Sequence, residues 1–353
     1  MNAGDRHLKA LRILLLPFSW IYGIGVWIRN ALYDAGILRT HDVGVQVISV
    51  GNISVGGTGK TPIVEMIAGY LVQQNRKVAV VSRGYRRATK GTVVVSDGNS
   101  ILTDVSSAGD EPFQIARRFP SVIVVVDEDR VRGARAASRR FGANVIVLDD
   151  GFQHRRIRRS LDLVLVDESE AEHARRLLPA GRYREPMNSL RRADCVLVAG
   201  RDRKDSSGSS VDITRFTKGR MFGVEFLPSA VVRMKDGLRQ PVRELKGKTC
   251  FAFCGIARPE KFRATLEAVQ LVVKELVSFR DHHWYNSRDI VDLSSIIVRL
   301  KPEIVVTTEK DSARLTDCSL EQILQLCPIC YVELQAQVSD GPAFLGLIDG
   351  RVN

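Results

Sequence analysis

Val45-Gln-Val-Ile-Ser-Val50 followed by Gly51-Asn-Ile-Ser-Val-Gly-Gly-Thr-Gly-Lys-Thr-Pro62 joins an apolar, β-branched run to a glycine-rich turn. Ile63–Gln74 then has the apolar spacing of a helix. Strand, turn and helix in this order are the context a P-loop requires. Gly56, Gly57, Thr58 and Gly59 let backbone N–H groups turn toward phosphate oxygens. Lys60 would reach the β- and γ-phosphates of a nucleotide and Thr61 would hold Mg²⁺, with the positive end of the helix behind them. Pro62 costs no hydrogen bond in the first helical turn. One departure is that the usual pattern puts Gly five residues before Gly59, where this chain has Ser54.

A nucleotide site needs a second element, an acidic residue at the end of an apolar strand. Val145-Ile-Val-Leu148 followed by Asp149 and Asp150 supplies it. Two neighbouring carboxylates repel each other unless a cation lies between them. The expected metal set is therefore Thr61, Asp149 and Asp150.

Further apolar runs at Val78–Ser82, Val122–Val126, Leu163–Val166 and Val196–Ala199 read as strands, and Pro112–Phe119 and Val131–Phe141 as helices. This alternation predicts a mostly parallel sheet covered on both faces. Residues 201–210 are polar and turn-rich. Residues 211–248 read as a β-hairpin region, with Met221–Phe226 and Val231–Met234 as strands and Lys235-Asp236-Gly237 as a turn. Strand and helix patterns then resume: Thr249–Cys254, Glu260–Val269, Leu271–Phe279, Arg288–Leu300, Ile304–Thr307 and Ile329–Glu333. The expected organisation is an N-terminal segment (1–40), a P-loop NTPase-type α/β/α core (41–210), a hairpin region (211–248) and a smaller C-terminal α/β domain (249–353).

The chain has 353 residues, 44% hydrophobic and 26% charged, a globular mixture that excludes a disordered, collagen-like or polytopic membrane protein. Lys and Arg number 52 against 40 Asp and Glu, a net charge of +12, and 39 of the 52 are Arg. That balance points to an anionic partner: nucleotide, nucleic acid or anionic lipid. Aromatic residues are only 7% and do not interleave with basic ones, which argues against nucleic acid. Thr308-Glu309-Lys310-Asp311 lacks the Lys-x-Asp spacing with which a GTPase reads its base. The six cysteines are too few and too uneven for a disulfide scaffold, and a reducing cytoplasm fits them. Cys327-Pro-Ile-Cys330 has zinc or redox spacing, but its setting reads as a buried strand.

Ile13 to Ile28 carry no charge. As a helix they span about 24 Å, short of the roughly 30 Å hydrocarbon core. Lys9, Arg12, Arg29 and Arg39 flank them, and Trp20, Tyr22 and Trp27 suit a headgroup interface. The expectation is a helix or helix pair lying in one leaflet of an anionic membrane surface.

The run GNISVGGTGKTP (51–62), SRGY (82–85), GDEP (109–112), DRVRG (129–133), LDDGFQHRR (148–156), LLPAG (177–181), REP (184–186), GIARP (255–259), DHH (281–283) and TTEKD (307–311) resembles, in order, the tetraacyldisaccharide 4′-kinase (lipid A 4′-kinase) family. The likeness spans about residues 45 to 311, and Ser54 is typical of the family. It implies transfer of the ATP γ-phosphate to the 4′-hydroxyl of a tetraacylated glucosamine disaccharide 1-phosphate, with Mg²⁺. It also implies a peripheral enzyme on the cytoplasmic face of the bacterial inner membrane, and a P-loop core joined to a smaller α/β domain through a β-hairpin. No nucleic acid and no obligate protein partner are expected. The alternative is another membrane-associated P-loop kinase or ATPase with a different anionic substrate.

Carried over by motif, Asp110 is the candidate base, paired with His282, or with His283 as runner-up. A pair drawn from two domains would assemble only on closure and so limit idle ATP hydrolysis. Arg130 and Arg132 would meet substrate phosphate or transition-state charge. Glu111, Gln153, His154, Arg184, Glu185 and Tyr85 are further substrate or transition-state candidates. Lys310 and Asp311 match a motif whose role the residues alone do not give. The basic run Arg155-Arg-Ile-Arg-Arg159 reads as a solvated or lipid-facing surface.

Overall fold

The computed structural model describes residues 13–168, 175–200, 212–315 and 317–352. The expected linker at 201–210 and the flanking residues Lys9 and Arg12 lie outside them. The strands are β1 (Gln46–Asn52), β2 (Val78–Ser82), β3 (Val93–Asp97), β4 (Ile123–Val126), β5 (Val145–Asp149), β6 (Leu161–Asp167), β7 (Cys195–Ala199), β8 (Arg220–Arg233), β9 (Arg239–Gln240), β10 (Thr249–Cys254), β11 (Val272–Ser278), β12 (Ile304–Thr308) and β13 (Ile329–Val338). The main helices are α1 (Leu16–Asp34), α2 (Lys60–Gln73), α3 (Asp110–Arg118), α4 (Arg130–Phe141), α5 (Pro259–Ala268), α6 (Ser287–Leu300), α7 (Asp317–Leu324) and α8 (Gly341–Val352).

All the strands join one sheet, ordered β11-β10-β12-β13-β8-β7-β6-β1-β5-β2-β4-β3, with β9 on β8. β1 lies between β5 and β6 and is parallel to both, with Val50 opposite Asp149. The glycine turn and the acidic pair therefore leave the sheet side by side at its carboxyl end, where open α/β sheets place their ligands. Strand alternation splits the core. Ile48 and Val50 face α2 in one buried cluster, and Val47 belongs to a second beneath α4. At the other end Cys250, Ala252 and Cys254 face α5, while Phe251 and Phe253 face α6.

The two strands expected within 221–234 are a single strand, β8. Its first residues run parallel to β7, and residues from Val224 to Arg233 run antiparallel to β13. Pro228 lies in the gap between those two expected runs, inside the single strand. It sits beside a register shift, between the stretches of β8 paired with β7 and with β9, where a missing N–H is tolerated. The turn at Lys235-Asp236-Gly237 does form, but it joins β8 to the short β9. β13 is also longer than expected, and α8 after it crosses back onto the P-loop half. Phe344, Ile348 and Val352 share a core with Ile63 and Ile67, and Tyr70 donates to Asp349 at 2.7 Å.

Polar contacts tie the two ends of the sheet together. Asp167, at the end of β6, accepts from Arg258 (2.5 Å) and Lys261 (2.8 Å). Gln114 on α3 donates to Glu65 and to Glu309, and Arg118 donates to Glu65 at 2.7 Å.

α1 is one continuous helix through Gly23 and Gly25. A Cβ at Gly23 would come within 2.9 Å of Leu177, so glycine permits close docking there. Only Ser19 and Val26 of α1 are buried, while Trp20 (71% exposed), Trp27 (70%), Phe18, Ile21 and Ile24 face outward. Among the described residues no helix is long and apolar enough to cross a membrane. Cys195, Cys250, Cys254, Cys327 and Cys330 are free and buried, and burial pushes the Cys330 thiol up to about 12.

Candidate active site

Glycine is required at two points of the phosphate loop. Gly56 has φ +110° and Gly59, which caps α2, has φ +95°. A Cβ on Gly59 would lie 2.3 Å from the Phe226 ring, so β8 closes over the loop. Asn52 donates to the Thr58 hydroxyl at 3.0 Å, and Arg182 donates to the Val55 carbonyl at 2.9 Å. Thr61 is buried at the start of α2.

The two aspartates have different settings. Asp149 is buried and accepts from Ser82 at 3.1 Å, while its Oδ1 is buried without a partner. Burial, and then the charge of Glu111, push its carboxyl up to about 7. Asp150 has φ +53° and is engaged by Arg184 (2.7 Å) and Lys60 (3.4 Å). Burial raises the Asp150 pKa, but Lys60, Arg184 and Arg130 outweigh it and hold the carboxyl below its usual range. Arg130 is buried at the start of α4, with its Nε unpartnered.

Asp110 and His282, 172 positions apart, meet at 2.7 Å through His282 Nδ1. Arg314 donates to the same carboxylate oxygen. Burial favours the protonated acid, but the bonds from His282 and Arg314 prevail and hold Asp110 at about 2. The Tyr85 ring stands edge-on to His282 at 5.5 Å. Glu111 pairs with Lys310 across the cleft, and Lys310, followed by Lys60, holds the Glu111 carboxyl below its ordinary value.

His283 turns away, bonding Asp289 at 2.9 Å and stacking on Phe279. His282 is therefore the residue that pairs with Asp110. Arg132 is 57% exposed in its side chain, and its fork is held by Asp127 at 2.7 and 2.8 Å. Gln153 donates to the Asn52 carbonyl at 2.8 Å, below the loop. His154 is pushed down to about 4 by burial and the nearby Arg130, so it is neutral.

Glu185 is fully buried and accepts from Arg192 (2.6 Å), Asn30 (3.0 Å) and Arg29 (3.2 Å). It thus anchors α1 to the body of the protein. Glu185→Ala leaves the half-buried Arg192 guanidinium without its carboxylate and is expected to cost about 3 kcal/mol of stability. A urea midpoint equal to wild type would contradict this placement.

Two contacting residues belong to none of the quoted motifs. Arg182 lies between the quoted LLPAG and REP motifs, and Arg314 lies three residues after Asp311. Only the Asp–Arg spacing of one helical turn hinted at the latter.

A backbone turned to receive phosphate, carboxylates beside it and a carboxylate–imidazole pair in the same cleft suit phosphoryl transfer, and the fold places the chain in the P-loop class. A model of the family LpxK, tetraacyldisaccharide-1-P 4′-kinase, matches residues 11–353. The chain belongs to that family. It is 37% identical to the tetraacyldisaccharide 4′-kinase of Syntrophus aciditrophicus, over 98% of this chain and 95% of that one. It is 38% identical to that of Chlorobaculum tepidum, over 95% and 96% respectively. The crystal structure of LpxK from Aquifex aeolicus in complex with ATP superposes with a TM-score of 0.79 at 33% identity, covering 97% of this chain and 100% of that one.

Proposed function

We propose that the protein phosphorylates the 4′-hydroxyl of a tetraacyldisaccharide 1-phosphate with ATP, using the cleft between Lys60 and the Asp110–His282 pair, while α1 rests on an anionic membrane. Family membership gives the reaction: the protein is an ATP-dependent lipid A 4′-kinase. The observation that carries the residue assignment is the 2.7 Å Asp110–His282 contact, made by residues from opposite ends of the sheet next to Glu111, whose carboxyl feels the Lys60 charge.

The loop N–H groups and Lys60 hold the β- and γ-phosphates. Mg²⁺, when bound, neutralises phosphate charge. Asp149 Oδ1 and Asp150 Oδ1 are both buried without a hydrogen-bond partner, but Asp150 is ion-paired with Lys60 and Arg184, so Thr61 and Asp149 would hold the cation. Among the described residues no group of three or more His, Cys, Asp or Glu forms a metal cluster. A nucleotide Mg²⁺ needs none, since phosphates and water supply most of its ligands. Arg130 adds positive charge near both aspartates.

Asp110 orients the sugar hydroxyl and takes its proton. An acid held at about 2 can do this because the transition state is loose. The hydroxyl becomes strongly acidic only as the new P–O bond forms, so a weak base in the right place suffices. Tyr85, exposed beside His282, would touch the sugar.

Transfer of labelled γ-phosphate from ATP to tetraacyldisaccharide 1-phosphate in detergent micelles tests the reaction. ATP hydrolysis with no label in the lipid would overturn it.

The exposed apolar face of α1 supports a peripheral position on the cytoplasmic face of the inner membrane. Replacing Trp20 and Trp27 together by Ser is expected to lower binding to phosphatidylglycerol-containing vesicles roughly tenfold or more. Unchanged sedimentation with vesicles would rule out α1 as the contact.

A further inference from the structure

Among the described residues, the largest fully buried side chain is that of Arg314. A guanidinium removed from water has to find both acceptors and countercharge. Nη1 donates to Asp311 Oδ1 at 3.0 Å and to the Gly255 carbonyl at 3.1 Å. Nη2 donates to Asp110 Oδ2, the oxygen that also receives His282 Nδ1. Asp311 is itself fixed by the Gly255 N–H (3.0 Å), the Tyr285 hydroxyl (3.0 Å) and the Thr308 hydroxyl (2.5 Å).

The Gly255 carbonyl has a second task. It accepts the backbone N–H of His282 at 3.0 Å. His282 has φ +61°, a conformation that non-glycine residues adopt only where their surroundings impose it. Arg314 therefore touches the acid of the pair and also the carbonyl that fixes the backbone of its histidine. Asp110 stands at the start of α3 in the P-loop half, whereas Gly255, His282, Tyr285 and Asp311 belong to the other half.

We propose that Arg314 is a positioning residue for phosphoryl transfer: its fork seats Asp110 of the P-loop half against His282 of the other half and fixes the orientation in which the pair receives the sugar hydroxyl. This rests on the assignment of Asp110 and His282 made above. Arg314 is fully buried behind the pair, so it acts through Asp110 and His282 without touching substrate. Lysine cannot replace it, because a single ammonium on a flexible stem does not span two carboxylates and a carbonyl.

The test is Arg314→Lys, which keeps the buried charge and removes the fork. Displacing a catalytic group by about 1 Å costs on the order of 100-fold in rate. The expected result is a kcat for lipid phosphorylation about 100-fold lower, with the KM for ATP within about threefold of wild type. In an Asp110→Asn background the same change should cost less than about threefold, because two residues acting through one group do not lose rate independently. An ATP-induced rise in melting temperature verifies that each variant is folded.

Tyr285→Phe removes a donor from Asp311 without burying a charge. It should show the same pattern with a smaller loss, roughly three- to tenfold, and it decides the matter if Arg314→Lys does not fold. Wild-type kcat in the folded Arg314→Lys variant would overturn the proposal. So would losses that multiply in the double variant, since Arg314 would then be only structural. Full activity in Asp110→Asn alone would instead overturn the assignment beneath the proposal, and that result is read without altering Arg314.

Discussion

Asparagine at position 110 is expected to lower kcat for lipid phosphorylation by about a thousandfold, within the range that a positioned general base contributes. Asparagine keeps the shape of the carboxylate and still accepts from Arg314 and His282, so the pair stays assembled but has no acid–base capacity at Asp110. The hydrogen bonds of Asp110 go to His282 and Arg314 and not to the phosphate loop, so the KM for ATP should remain within about twofold of wild type. The fall belongs to the transfer step and is read from single-turnover labelling of the lipid. A loss of less than tenfold would remove Asp110 as the base. Stability gives a second reading. Because its folded pKa is depressed to about 2, Asp110 contributes stability that is present above its unfolded value near 4 and is lost as pH falls toward 2. Wild type and variant should therefore converge in stability as pH drops through that window.

Lys60→Met should be at least as damaging, with kcat reduced about a thousandfold or more and weaker ATP binding. Lys60 begins α2 at the loop, where its ammonium meets charge that builds on the transferring phosphoryl group. Methionine matches its length and removes its charge. The fold should survive, because Asp150 keeps the Arg184 contact at 2.7 Å when Lys60 no longer offers one. Equilibrium ATP binding and single-turnover transfer separate the two effects. Retention of more than a tenth of wild-type kcat would show that Lys60 is not the phosphate lysine.

The two substitutions probe opposite walls of one cleft, and those walls were not equally legible. The loop from Gly56 to Thr61 and the pair Asp149 and Asp150 each occupy consecutive residues. Their conformation is local, and adjacent parallel strands bring them together without further conditions. The β8–β13 ladder was less visible. Pro228 has no N–H to give a ladder, and only the place of β8 between β7 and β13 makes that position tolerable. Glu185 and Arg132 show how one residue type serves two purposes. In sequence each is a charge next to a motif, and only the structure shows that Glu185 ties down α1 and that Asp127 holds Arg132.

By itself the sequence determined the P-loop, the parallel α/β core, the acidic pair and the charge-free apolar N-terminal segment, because each rests on backbone preference or on composition and periodicity within a few consecutive residues. Tertiary structure alone decided that His282 and not His283 meets Asp110, that α8 returns to the first core, and that Arg314, 204 positions from Asp110, lies buried against it. Contacts of that span depend on which faces of distant elements are brought together. A charged side chain acquires its role only once burial has removed water as its alternative partner.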